Sequence, residues 1–179
     1  EVAGGVGHAC GRGGDGSVWC WGENDYGQLG NATTTGQPCG SLVCRPQPAQ
    51  VPGLGASVVE VTAGRGHTCV RKGDGSIWCW GMEVGELSDA GQKCGGWSCE
   101  PSPAQITAIG TSAVQVTVGF GHTCVRKNDG TVWCWGGNQY GSLGDGTTIG
   151  KPSPVQVTAL GTPAVEVVAG GNHTCARKS

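Results

Sequence analysis

The sequence predicts an all-β fold built as an array of β-propeller blades. Three observations predict it. Three spaced motifs recur in the same order, the recurring segments read as short strands, and Asp-Gly turns stand between them. No stretch shows sustained helical periodicity with caps, and no run of 18 apolar residues offers a transmembrane helix.

The first motif is Val6-Gly-His-Ala-Cys10, Arg65-Gly-His-Thr-Cys69, Phe120-Gly-His-Thr-Cys124 and Gly171-Asn-His-Thr-Cys175, with His-to-His spacings of 59, 55 and 51 residues. The second is Ser17-Val-Trp-Cys-Trp-Gly22, Ser76-Ile-Trp-Cys-Trp-Gly81 and Thr131-Val-Trp-Cys-Trp-Gly136, each ending 14 residues after its His. The third is Pro46-Gln-Pro-Ala-Gln-Val51, Pro101-Ser-Pro-Ala-Gln-Ile106 and Pro152-Ser-Pro-Val-Gln-Val157, each starting 21 residues before the next His. All length variation falls in one loop per repeat, between the second and third motifs, as expected of a loop on one face of an array. The chain is divided into repeat 1 (1–59), repeat 2 (60–114), repeat 3 (115–165) and the start of a fourth (166–179).

Within a repeat, Val58–Thr62 is β-branched, His67–Lys72 alternates, Asp74-Gly75 turns the chain and Ser76–Trp80 returns. The Pro-flanked segment around Gln50-Val51 suits an edge strand. Four short antiparallel strands per 51–59 residues are expected. The pairs Trp19/Trp21, Trp78/Trp80 and Trp133/Trp135 are expected between blades, one member on each face of its strand.

With 36 Gly and 9 Pro the chain is turn-rich, yet 7 Trp, 11 Cys and a net charge of −2 mark a chain built to fold. Each complete repeat has two cysteines ten residues apart: Cys10 and Cys20, Cys69 and Cys79, Cys124 and Cys134. Each pair is centred on its Asp-Gly turn, so the thiols oppose each other across a hairpin, within disulfide reach. Cys39 with Cys44 and Cys94 with Cys99 stand in the variable loops; repeat 3 lacks both members together, which points to bonding within each pair. Cys175 is left without a mate because its partner position lies past the last residue. Five disulfides imply an oxidising setting: secreted, periplasmic or at a cell surface. Without an initiator Met or a leader, the sequence reads as a mature or partial chain.

These motifs resemble the regulator of chromosome condensation repeat family, most closely in Glu23-Asn-Asp-Tyr-Gly-Gln-Leu-Gly30 and Gly137-Asn-Gln-Tyr-Gly-Ser-Leu-Gly144. The resemblance covers essentially the whole chain. It implies four-stranded blades, usually seven, which need at least about 350 residues at this repeat length. The chain is then expected to be a window on a longer array, or to assemble with copies of itself. Repeat 2 departs from the pattern at Met82–Leu87, where a different loop conformation is expected. The family includes exchange factors for small GTPases and β-lactamase inhibitors; a nuclear exchange role does not fit a disulfide-rich chain.

The function expected is a non-enzymatic extracellular binding module for a protein or glycan. Trp97 in its Cys-clamped loop, Leu42 and Val43 are the candidate contacts. Asn31 and Asn172 fit the glycosylation pattern, Asn31 better placed in a surface loop and Asn172 beside the repeated His. A structural subunit of a fibre or surface assembly is the alternative. A metal-binding protein using His67, Cys69 and Cys79 with reduced thiols is the third reading. No nucleophile elbow, paired carboxylates, phosphate loop or basic patch supports catalysis, a cofactor or nucleic-acid binding.

Overall fold

The computed structural model describes residues 1–82, 93–94, 96–161 and 163–178. Strands β1 (Val2–Gly4), β2 (His8–Arg12), β3 (Val18–Glu23), β4 (Gln37–Cys39) and β5 (Leu42–Gln50) form a first sheet in the order β1-β2-β3-β5-β4. The second sheet repeats this with β6 (Val58–Ala63), β7 (His67–Lys72), β8 (Ile77–Met82), β10 (Trp97–Gln105) and β9 (Lys93–Cys94). The third holds β11 (Ala113–Val118), β12 (His122–Lys127), β13 (Val132–Gly136) and β14 (Lys151–Gln156), and β15 (Ala164–Ala169) with β16 (Thr174–Lys178) begins a fourth. Strand pairing within each sheet is antiparallel. These are propeller blades, three full and one partial.

The first two blades have five strands rather than four. Their longer loops fold back as short hairpins, β4 on β5 and β9 on β10, closed by Cys39–Cys44 and Cys94–Cys99. The five-residue sequence spacing of each pair lets its hairpin close locally.

The hairpin register follows from the Asp-Gly turns. Asp74 Oδ1 accepts from the Ser76 amide (2.9 Å) and hydroxyl (2.7 Å), and Gly75 takes the positive φ of 82° that the turn needs. The same contacts recur at Asp15 and Asp129. This register sets Cys69 directly opposite Cys79, and likewise Cys10 opposite Cys20 and Cys124 opposite Cys134. Each of these three pairs is bonded, with Cα atoms 4.1 Å apart.

The Trp pairs do not straddle their strands. Residues two apart share a face, so Trp78 and Trp80 point the same way and Cys79 the other. The Trp face of each blade meets the preceding blade, and the disulfide face meets the following one. The core between blades 1 and 2 joins Cys10, Cys20, Leu29 and Leu54 to Val58, Val61, Val70 and Trp80. The next joins Cys69, Cys79, Ile106 and Ile109 to Val116, Val125 and Trp135. The last joins Cys124, Cys134 and Leu143 to Ala164 and Val167. The three disulfides that cross the β2–β3, β7–β8 and β12–β13 hairpins are fully buried and serve as apolar core.

A polar hook accompanies each core. His8 Nε2 lies 2.8 Å from Thr68 Oγ1, His67 Nε2 3.0 Å from Thr123 Oγ1, and His122 Nε2 2.9 Å from Thr174 Oγ1. Thr68 donates its hydroxyl to the Gln28 carbonyl (2.9 Å) and Thr174 to the Ser142 carbonyl (2.8 Å). With its proton so used, each threonine must accept from the histidine, which fixes the Nε2–H tautomer at His8 and His122. Burial pushes His8 down to about 4 and His67 to about 3, so both are neutral at pH 7.

Candidate partner-binding face

The loops that follow β3 and β13 build one end of the array. Asn24 Oδ1 accepts from the Leu29 amide (3.1 Å) and its Nδ2 donates to the Thr33 carbonyl (2.8 Å). Asn138 does the same with Leu143 (3.0 Å) and Thr147 (3.0 Å). Each asparagine thus pins a tight loop whose leucine is buried between blades. Of the tyrosines of the same motif, Tyr26 is half-buried beside Gly66 of the next blade, and Tyr140 points outward. Tyr140 is 73% exposed.

A groove of about 360 Å³ runs across this end. Blade 1 contributes Tyr26; blade 2 gives Arg65, Met82 and Trp97; blade 3 gives Phe120, Asn138 and Tyr140; the partial fourth gives Asn172. Trp97 is 52% exposed and Phe120 46%. Trp97 opens β10 directly opposite Cys94, so the Cys94–Cys99 bridge fixes the strand that carries it. Phe120 is held by its amide donating to the Gly171 carbonyl of the next blade (2.9 Å). Among the described lining residues, Arg65 carries the one formal charge. Glu23 stands nearby, its carboxyl raised by burial and by the charge of Asp25 and lowered by that of Arg65. Several exposed aromatics on rigid loops beside planar amides make a surface fit to hold an apolar ligand with a polar rim.

Of the contacts expected from sequence, Trp97 lies in the groove and Leu42 and Val43 do not line it. Leu42 is exposed at the tip of the β4–β5 hairpin. Val43 is half-buried, and its backbone is bonded to the blade, the amide to Asp25 Oδ1 (2.8 Å) and the carbonyl to the Asn24 amide (2.8 Å). Asn172 is exposed at the groove. The Asn31 amide is occupied, accepting from Arg45 Nε (2.9 Å) and donating to the Thr33 carbonyl (2.9 Å). Cys175 is exposed and unpaired among the described residues. The loop departure expected at Met82–Leu87 lies, apart from Met82, outside the described residues.

Arg65, Phe120 and the two tyrosines are groove residues that sequence reasoning did not single out. Their signal was present: the position before Gly-His or Asn-His reads Val6, Arg65, Phe120 and Gly171, variable between constant neighbours. Among the described residues no three His, Cys, Asp or Glu side chains converge as metal ligands, and the cysteine of each His-Cys-Cys set is bonded rather than free.

Comparison with known proteins agrees with this architecture. The regulator of chromosome condensation (RCC1) repeat model matches residues 15–71 and 129–177, and a second model of that repeat matches 1–28 and 113–142. The chain is 32% identical over 169 residues to the human E3 ubiquitin-protein ligase HERC2, covering 90% of this chain and 3% of that protein. It is 33% identical over 166 residues to the Arabidopsis thaliana ultraviolet-B receptor UVR8, covering 90% of this chain and 35% of the receptor. Among solved structures, Prp20p from Saccharomyces cerevisiae superposes with a TM-score of 0.84 at 19% identity, over all of this chain and 44% of that one. The chain therefore spans less than half the length of each of these proteins. On its repeats and its blades alike, it belongs to the regulator of chromosome condensation repeat family.

Proposed function

We propose that this chain is a non-enzymatic, extracellular binding module that holds a protein partner on its loop face. The observation that carries the reading is the groove shared by all four blades, with Trp97, Phe120 and Tyr140 exposed on bridged or hydrogen-bonded loops. Rigid aromatic anchors lose little conformational entropy on binding, so they concentrate affinity. The five bonded cysteine pairs support an oxidising compartment. Prp20p, similar in fold, is described as binding Gsp1p and histones, which supports a protein as the class of partner. The ligase activity named for HERC2 belongs to a protein of which this chain matches 3%, and no residue here supports carrying it over.

The test is retention of a partner from the fluid around the producing cells, with wild type and the W97A/Y140A double variant immobilised in parallel. Both side chains are exposed, so the variant keeps its fold, checked by near-ultraviolet circular dichroism. A bound protein whose retention falls at least about tenfold in the variant supports the reading. Equal retention by both proteins refutes it.

A further inference from the structure

The groove carries its one cation on a turn built to project a side chain. Arg65 stands on the Gly64–Gly66 turn, and Phe120 on the equivalent Gly119–Gly121 turn of the next blade. Each turn is closed by the same bond, Gly64 donating its amide to the His67 carbonyl (2.9 Å) and Gly119 to that of His122 (2.8 Å). A guanidinium and a phenyl ring therefore occupy equivalent points of neighbouring blades. Beside Arg65 the surface is apolar. Tyr26 and Met82 press on Gly66, where a Cβ would stand 3.1 Å from the Tyr26 ring and 3.3 Å from Met82 Cβ. Blade 2, which carries Arg65, Met82 and Trp97, has a blade packed on each of its faces. Its loop end is framed by chain on both sides.

Arg65 differs from every other arginine of the chain. Arg12, Arg71 and Arg177 each aim Nε at a glutamate, Glu1, Glu60 and Glu166 (3.4, 2.8 and 3.0 Å). Arg126 Nε donates to Gln115 Oε1 (3.4 Å), and Arg45 Nε to the Asn31 amide oxygen (2.9 Å). Arg65 is exposed, and among the described residues no carboxylate pairs with its guanidinium. Glu23 feels its charge only from farther off. The turn does not require an arginine either, since the same position is Val6, Phe120 or Gly171 in the other blades. The cation without a partner is thus the one that lines the groove.

A guanidinium is a planar fork of donors that meets a carboxylate with two parallel bonds. An apolar surface beside such a pair excludes water and strengthens it. A single cation on a chain of net charge −2 does not make a site for a polyphosphate, which needs many. We propose that the groove selects an acidic segment of its protein partner: an Asp or Glu side chain of the partner pairs with Arg65, and an apolar residue close to it in sequence lies against Trp97 and Phe120. This rests on the groove being the binding face and adds the chemistry of what it holds.

The test selects a random dodecapeptide library displayed on phage, in parallel on immobilised wild type, R65Q and W97A/Y140A. R65Q keeps its fold, because the turn accepts Val, Phe and Gly elsewhere; near-ultraviolet circular dichroism checks it. Wild type should enrich peptides that carry Asp or Glu a few residues from an aromatic or aliphatic side chain, and R65Q should lose the acidic preference. The best acidic peptide, synthesised, should bind R65Q about tenfold more weakly than wild type, as expected for a lost charged hydrogen bond. The same peptide with its acid replaced by the amide should bind both proteins alike. Peptides that need the groove aromatics but show no acidic preference would overturn this proposal and leave the binding face standing. So would acidic peptides that bind R65Q as tightly as wild type. No enrichment on wild type beyond that on W97A/Y140A would overturn both.

Discussion

Replacing Thr68 with Val tests whether the polar hooks, and not the apolar cores alone, hold the blades together. The substitution is nearly isosteric, so it opens no cavity. It removes one hydroxyl that accepts from His8 Nε2–H and donates to the Gln28 carbonyl. The Gln28 carbonyl keeps a partner, because Trp80 Nε1 also donates to it (2.8 Å). His8 does not: its Nδ1 is already buried without a partner, so the ring would be left with no hydrogen bond at all. A stranded buried donor costs about 1–3 kcal/mol, and the lost bond to Gln28 adds about 0.5–1.5 kcal/mol. The expected loss is about 1.5–4.5 kcal/mol, measured by guanidinium unfolding at pH 7 with the disulfides intact. The slope with denaturant should not change, since the surface exposed on unfolding is the same. A loss below about 0.5 kcal/mol would refute the reasoning and leave the histidine as a passive core residue.

Two further outcomes follow from the same interior. His8 and His67 titrate at about 4 and about 3 when folded, against 6.5 unfolded, so the unfolded chain binds more protons in acid. Stability should be full above pH 6.5, fall below it by up to about 2.7 kcal/mol per pH unit, and level only near pH 4 to 3; a flat unfolding midpoint between pH 6.5 and 4.5 would contradict this. Alkylation of the folded, unreduced protein should leave the ten bonded cysteines unlabelled, and peptide mapping that finds a label on any of them would contradict the pairing.

The part of this fold that sequence reveals is the part governed by short separations. Cys69 and Cys79 flank Asp74-Gly75 symmetrically, and antiparallel partners keep a constant index sum, so their opposition follows from the turn. The same locality exposes strand order within a blade. The joints between blades are hidden by distance. His8 meets Thr68 across 60 residues and His122 meets Thr174 across 52, and nothing near either residue announces its partner. A trace existed in the repeats: Thr68, Thr123 and Thr174 recur after the His, while Ala9 stands alone. The Trp pairs were misplaced for a simpler reason. A spacing of two keeps side chains on one face, so the cysteine between them, not the second Trp, faces the next blade. The groove was legible only at Trp97, because its other members lie on separate blades and meet only when the blades stack.

The division of labour between the ends of a blade explains why the loops vary and the hairpins do not. Every residue of a hook or a hairpin disulfide lies within the invariant span from the repeated His to the Trp-Cys-Trp-Gly motif, apart from the carbonyls of Gln28 and Ser142. Those two acceptors are backbone atoms, so the loops that supply them are free in side chain so long as Asn24 or Asn138 holds the curve. Aliphatic packing alone would constrain both ends, since each joint would need large side chains along its full length. A buried disulfide fills the middle of the joint and also shortens the freedom of the unfolded hairpin, worth about 2.7 kcal/mol for a ten-residue loop in the chain-entropy view. With the joint so secured, the loop end can carry Trp97, Phe120 and Tyr140 exposed to solvent.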